Sequence, residues 1–334
     1  MSLLLTCRIT IGAYQFTRTS GVEIQSSWKT IGDTATLKMY GYANLENADG
    51  SITRHAALEK VFKVGDQVTI ELGYDGVLRT EFTGYIAEIS AKIPIELRCE
   101  DEFFHLKRQK VNRTWQNTTL ADILKDLLPT ASLSQNIPKL SISCFRADRT
   151  TAYGVLKELK DSYLLAAYFR QNKLFVGLPY TEFTSADTSI KGGLAKYAFQ
   201  QNIINDELRY SAKEDVRMKV KVVALHQNGK KTTVPDVGDP DGVERTVVLH
   251  TETTDVAELK RVGLQKLADM KYDGYRGTFT TFGEPYLIHS GTAELTDPLR
   301  PERTGRYLVD SVNTSFGPQG FRREVEPSKR VSIA

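Results

Sequence analysis

Residues 65–89 read GDQVTIELGYDGVLRTEFTGYIAEI, and their patterning decides the fold class. Val68, Ile70 and Leu72 alternate with Thr69 and Glu71, which places the three aliphatic side chains on one face of a strand. Tyr74-Asp75-Gly76 is a turn signal, and Phe82, Tyr85, Ile86 and Ile89 follow in a second run. Two apolar-alternating runs joined by a glycine-containing turn predict a β-hairpin with one buried face. Gly84, inside the second run, predicts a bulge or a sharp bend such as a barrel corner needs.

Around this hairpin, LLLTCRITI, VEIQSSWKTI, ATLKMYGY and IELRCED are also strand-like. Residues 1–101 are therefore expected to form a first small β-barrel or sandwich. The polar stretch from Asn44 to Asp66 reads as an exposed loop carrying a short turn of helix. The pattern changes at Glu102. TTLADILKDLLP places Leu120, Ile123, Leu124, Leu127 and Leu128 at helical spacing, with Thr118 or Thr119 as cap and Pro129 as stop. PKLSISCF reads as a strand. TTAYGVLKELKDSYLLAA reads as a second amphipathic helix, with Tyr153, Leu156, Leu159 and Tyr163 near one face. AAYFRQNKLFVG reads as a hairpin turning at Gln171-Asn172. Residues 102–197 are thus a two-helix α+β module.

From 198 to 334 the chain is mostly β again. It has an Asn228-Gly229 hairpin signal, one helix at about 254–271 with Val256, Leu259, Val262, Leu267 and Met270 near one side, and a closing hairpin, YLVDSVNTSFGPQGFRREVEP. The predicted class is mainly β with an α+β insert: two small barrel domains flanking a helical module.

Composition fits a folded chain: 334 residues, 40% hydrophobic and 25% charged. The net charge of +3 gives no support for a nucleic-acid or acidic-lipid partner. Three distant cysteines, Cys7, Cys99 and Cys144, suit a protein that does not depend on disulfides. The opening MSLLLTC lacks the positive region and apolar length of a signal peptide and reads as a first strand, so the chain is expected to be made without an export signal.

Catalytic constellations are not apparent. His55, His105, His226, His250 and His289 stand in no metal-binding spacing, and no GxSxG, P-loop or GxGxxG occurs. Cys99 sits on a strand with no base nearby and reads as a core residue. Glu100, Asp101 and Glu102 form an acidic cluster that reads as a solvated turn rather than as a glycosidase pair. The run Lys107–Arg113, KRQKVNR, reads as a solvated linker or polar subunit contact. PDVGDPDGV, residues 235–243, lacks the ligand set of a calcium loop. No catalytic residue, cofactor or metal is expected.

The hairpin resembles phage late control protein D and related baseplate hub proteins, in which a G-D-x-V strand is followed by a turn and a strand ending F-x-G-x-I. The matching positions are Gly65, Asp66, Val68, Phe82, Gly84 and Ile86. The central TWQNTTLADILKDLLP, with the strand, helix and hairpin after it, is similar to that family's middle module, itself LysM-like in some hubs. GRYLVDSVNTSFGPQGFRREVEP resembles the family's closing hairpin at Tyr307, Val309, Val312, Phe316, Gly320 and Phe321. Asn313 and Thr314 stand near a frequent His, and Arg323 replaces the usual Thr. The chain is expected to be a hub without the spike extension that VgrG-type proteins carry, so that it receives a separate spike protein. The resemblance implies a trimeric hub that joins a three-fold spike to a six-fold tail tube. It also implies baseplate partners, no small-molecule substrate, and a lumen compatible with DNA passage but no specific nucleic-acid binding. The location implied is the virion tail baseplate. Two other readings stay open: a cell-wall-active protein, either glycan-binding or a peptidoglycan hydrolase, and a hexameric tail-tube or tail-tip adaptor.

Overall fold

The computed structural model describes residues 4–46, 52–90, 92–134, 137–163, 165–181, 193–226, 229–250 and 255–331. Its N-terminal part contains β1 (Leu5–Ile11), β2 (Tyr14–Phe16), β3 (Gly21–Ser27), β4 (Thr34–Met39), β5 (Tyr42–Glu46), β6 (Ile52–Ala57), α1 (Leu58–Val61), β7 (Gln67–Tyr74), β8 (Val77–Ser90) and β9 (Ile95–Glu100). The order of the main sheet here is β3-β4-β9-β8-β7-β1-β2, with every pair antiparallel. Alternate residues of six strands, among them Ile9, Ile24, Leu37, Ile70, Ile86 and Leu97, meet in one core. Strands that share one core across a seven-strand run fit barrel-type architecture. The stretch read as a loop after Asn44 is instead the β5–β6 hairpin, followed by the single turn α1. Leu45 and Leu58 root it in the barrel core.

The middle part contains α2 (Phe103–Leu106), β10 (Lys110–Thr119), α3 (Leu120–Leu127), β11 (Ser141–Thr151), α4 (Ala152–Tyr163), β12 (Ala166–Arg170) and β13 (Lys173–Gly177). Thr119 caps α3, its hydroxyl accepting the Asp122 N–H at 3.2 Å. The buried faces of α3 (Leu120, Ile123, Leu124, Leu127) and α4 (Ala152, Val155, Leu156, Leu159) share a core with Trp115, Phe145 and Val176. Lys110–Arg113, read as linker, belongs to β10 and pairs with β11. Gln171 and Asn172 turn the β12–β13 hairpin with φ of 49° and 62°.

The last part contains β14 (Leu194–Ala198), β15 (Ile203–Asp206), β16 (Arg209–Ser211), β17 (Met218–Leu225), β18 (Lys231–Gly238), β19 (Val243–His250), α5 (Val256–Met270), β20 (Gly274–Arg276), β21 (Phe279–Phe282), β22 (Thr292–Thr296), β23 (Gly305–Gly317) and β24 (Gly320–Val331). Within it, β17, β18, β19 and α5 form an inserted α/β unit with its own core around Val220, Val222, Val234 and Leu259. β17 is flanked by antiparallel β18 and parallel β19, so the connection between β18 and β19 must round the end of β17. It does so at Gly242, where a Cβ would lie 2.6 Å from Met218 backbone atoms. Residues 227–228, including Asn228 of the turn signal, lie outside the described residues. Val256 is 49% exposed and takes no part in the α5 core.

The remaining strands run β14-β22-β23-β24-β21-β15, with β20 beside β24 and β16 beside β20. They enclose a second core around Tyr197, Tyr275, Phe279, Leu295, Tyr307, Val309 and Val325. β23 also pairs with β3, which makes one 15-stranded sheet through both barrel-type units. Its first residues face β22, and Ser311–Phe316 face β3. Register shifts at Tyr307/Val309 and Val309/Ser311 fall where it changes neighbour, because a bulge bends the strand there. The molecule is mainly β, with an α+β insert.

Candidate functional site

The two barrel-type units meet the central module around a cavity of about 520 Å³. Its wall begins with an irregularity in the opening hairpin. Ile70 pairs with Phe82 but Glu71 pairs with Thr80, so Glu81 is the extra residue of a bulge. Freed from the ladder, its carboxylate turns to Arg323 of β24. The guanidinium donates to Glu81 through Nη2 at 2.6 Å and Nη1 at 2.9 Å, to Thr314 Oγ1 at 3.0 Å and to the Gly283 carbonyl at 2.7 Å. Both side chains are almost wholly buried, at 1% and 3% exposure. A buried pair of this kind is held by geometry and by satisfied donors, since desolvation opposes it.

A second acidic group faces the same cavity. Asp101 Oδ2 accepts the Asp33 N–H at 2.9 Å, and its Oδ1 accepts the Phe103 N–H at 3.0 Å. Asp33 Oδ2 accepts from Ser26 Oγ at 2.9 Å, while its Oδ1 has no hydrogen-bond partner among the described residues. Burial pushes the Asp33 carboxyl up to about 6, against the hydrogen bond from Ser26 and the charge of Arg170. Burial, reinforced by Asp33, pushes Asp101 up to about 8. The acidic cluster read as a solvated turn thus contains a buried member. Its neighbours are tied elsewhere: Glu100 pairs with Lys107 at 2.8 Å and Glu102 accepts from the Tyr85 hydroxyl at 3.2 Å. His289 is buried behind the cavity against the Tyr168 ring at 4.5 Å. Burial and Arg170 hold its pKa well below the usual histidine range, so it is neutral.

The family-motif residues fall into two groups. Val68, Phe82 and Ile86 lie in the first core, and Tyr307, Val309 and Val312 in the second. Phe316 and Phe321, on the last hairpin, cross over and pack in the first core. Gly65 (φ 97°) and Gly320 (φ 105°) hold left-handed turn positions that disfavour side chains. Asp66 closes its turn by accepting the Lys63 N–H at 2.8 Å. Gly84 is no bulge: a Cβ there would lie 2.2 Å from the Glu100 carbonyl oxygen, so β8 and β9 approach too closely for a side chain. Sequence reading marked Arg323 only as a departure and missed Glu81 and Asp33. The polar run Arg79-Thr80-Glu81 carries no apolar alternation, and the bulge shows only in the register of β8 against β7.

The other candidate residues stay apart. Among the described residues, no three His, Cys, Asp or Glu side chains converge as a metal would require. Burial pushes the Cys99 thiol up to about 12 and raises Cys7 as well, which leaves both poor nucleophiles. Asp239, in the loop read against calcium binding, accepts from the Met218 N–H and from Lys271 Nζ. No described helix is long and apolar enough to cross a membrane.

No family model matches the sequence, and no curated protein is similar to it. Solved structures do match. The 43 kDa tail protein of prophage MuSo2 from Shewanella oneidensis is 13% identical, with a TM-score of 0.65 over 98% of each chain. The tail protein from Neisseria meningitidis MC58 is 14% identical, with a TM-score of 0.64 over 97% of this chain and 96% of that one. An Escherichia coli component of the type VI secretion system, described as structurally similar to the T4 bacteriophage tail proteins gp27 and gp5, is 10% identical. Its TM-score is 0.57 over 97% of this chain and 77% of that one. At these identities the likeness is one of fold, and it extends from end to end: this chain has the fold of these tail and secretion-system proteins.

Proposed function

We propose that the chain is a non-enzymatic structural protein of a phage or prophage tail, or of a tail-like injection system, and that it serves as the baseplate hub. The reading divides the chain into a first barrel, 1–101, a central module, 102–197, and a second barrel, 198–334. The observation that carries it is the β23–β24 hairpin, which contributes to both barrel cores and fixes the two units side by side. Three such chains present six barrels, so a homotrimer can face a six-fold tail tube on one side and a three-fold spike on the other. The end-to-end likeness to tail proteins supports the same role. Spike, tube and baseplate proteins are the partners, no cofactor or small-molecule substrate is needed, and the working location is the virion tail. The family-motif residues act as structural elements, setting turns and filling the two cores.

Static light scattering tests this. A trimer of the 37.5 kDa chain has a mass of 3 × 37.5 = 112.5 kDa, and that mass is expected. Six chains would shift the reading to a tail-tube or tail-tip adaptor. The cell-wall reading draws on the raised Asp101 beside Asp33 in the cavity. However, both Asp101 oxygens already accept backbone N–H groups, which suits a turn-holding carboxylate. A single-chain mass at every concentration, together with a cleared zone on a peptidoglycan zymogram, would replace the hub with a hydrolase.

A further inference from the structure

A larger cleft, of about 900 Å³, opens on another side of the molecule, where α4, α5 and the base of the β23–β24 hairpin meet. Its apolar wall includes Trp28, Tyr180 and Met270. Trp28 and Tyr180 pack edge to face at 5.5 Å, and both donate to Asp310. The charges around them are unequal. Lys29 is neutralised by Asp310 at 2.8 Å and Glu326 at 2.7 Å, and Lys329 by Asp269 at 2.9 Å. Arg276 donates to the Met270 carbonyl and stacks on Tyr272. Three cations remain without an acid at ion-pair distance among the described residues: Lys160 on α4, and Arg261 and Lys266 on α5. The Lys160 ammonium donates to the Lys29 carbonyl at 2.8 Å. Asp161, beside it, and Asp269 offset the field only in part.

The fold thus brings ammonium groups of two different units into one half-buried space. Burial lowers the proton affinity of Lys160 and Lys266, and each has an acid neighbour that only partly restores it; Lys266 also acts against the charge on Lys160. Like charges held together while partly desolvated raise the free energy of the empty cleft, and an anion between them lowers it.

We infer that this cleft is an oxyanion site, in which a carboxylate or phosphate group sits between Lys160, Lys266 and Arg261 against the Trp28–Tyr180 wall. The volume suits a small organic anion or an acidic stretch of polypeptide. Charge-assisted hydrogen bonds from three cations supply the recognition, with Arg261 offering a bidentate fork. The inference does not depend on the hub reading.

The test titrates the full chain, at constant ionic strength, with inorganic phosphate and with hexaglutamate. Binding is followed by calorimetry and by the fluorescence of Trp28; the other tryptophan, Trp115, is buried in the central core. Saturable binding is expected for at least one probe. It should weaken about tenfold in Lys266→Gln and in Arg261→Gln, a loss of about 1.4 kcal/mol, while the melting temperature of each variant does not fall below that of the wild type. Saturation by phosphate identifies a free oxyanion as the ligand, and saturation by hexaglutamate alone identifies an acidic chain segment. The inference fails if neither probe saturates in the millimolar range. It also fails if a folded variant of either residue binds as the wild type does.

Discussion

The Glu81–Arg323 pair joins residues 242 positions apart in a place where water cannot compensate for a missing partner. Arg323→Thr leaves the Glu81 carboxylate buried and alone, and should cost about 3–5 kcal/mol of stability in urea unfolding. Replacing both residues with Met removes both charges and should recover most of that loss, so a double-mutant cycle should show strong coupling. Asp33 and Asp101 give a second, pH-dependent signature. Their folded-state values lie above the ordinary 3.8. The folded chain therefore binds more protons than the unfolded one between about pH 4 and pH 8, and this pair's contribution to stability falls as pH rises through that window. Asp33→Asn removes the mutual repulsion and should flatten the slope; an unchanged slope in melting temperature against pH would locate the effect elsewhere. Neither feature is written locally. IELRCED reads as a strand running into an acidic turn, and burial of Asp101 follows from the packing of Gly32 and Phe103 against it.

Alternation was the most legible signal at the scale of elements. Val68, Ile70 and Leu72 share a face because the strand period is two, and the capped amphipathic α3 is plain for the same kind of reason. Register was not legible, because it is a property of two strands. Gly84 reads as a bulge or a sharp bend, yet the extra residue opposite β7 is Glu81, and Gly84 allows β8 and β9 to approach closely. A Cβ at Gly84 meets the Glu100 backbone at 2.2 Å, which cannot yield without moving β9. Gly84→Ala should therefore cost about 1–3 kcal/mol or more. Gly41→Ala, where a Cβ meets nothing within 4 Å, should stay within about 0.5 kcal/mol of wild type. Equal effects of the two substitutions would remove the close-approach argument. The β17–β19 unit was harder still to read: its parallel pair joins strands that are not consecutive in the chain, so the insertion looked like more of the same β region.

For the whole molecule, the decisive contact is between ends of the chain. β3 pairs with β23 across nearly 290 positions, and Phe316 and Phe321 fill a core otherwise built by the first 100 residues. Such pairing costs loop-closure entropy and leaves no short-range trace, so the sequence suggested two separate barrels and not one continuous sheet. The consequence concerns cooperativity. If each barrel stood alone, weakening the first core would leave the second unchanged. Since one hairpin belongs to both, a cavity at Phe321 acts on both. Phe321→Ala removes a fully buried ring, at a cost of about 3–5 kcal/mol. Amide hydrogen exchange should then accelerate together in β7, at the heart of the first unit, and in β21 and β22 of the second, with one common opening free energy. Acceleration confined to β7 would mean that the hairpin is a tether between independent barrels, and the fixed spacing that the proposed three-chain ring needs would have to come from contacts between subunits.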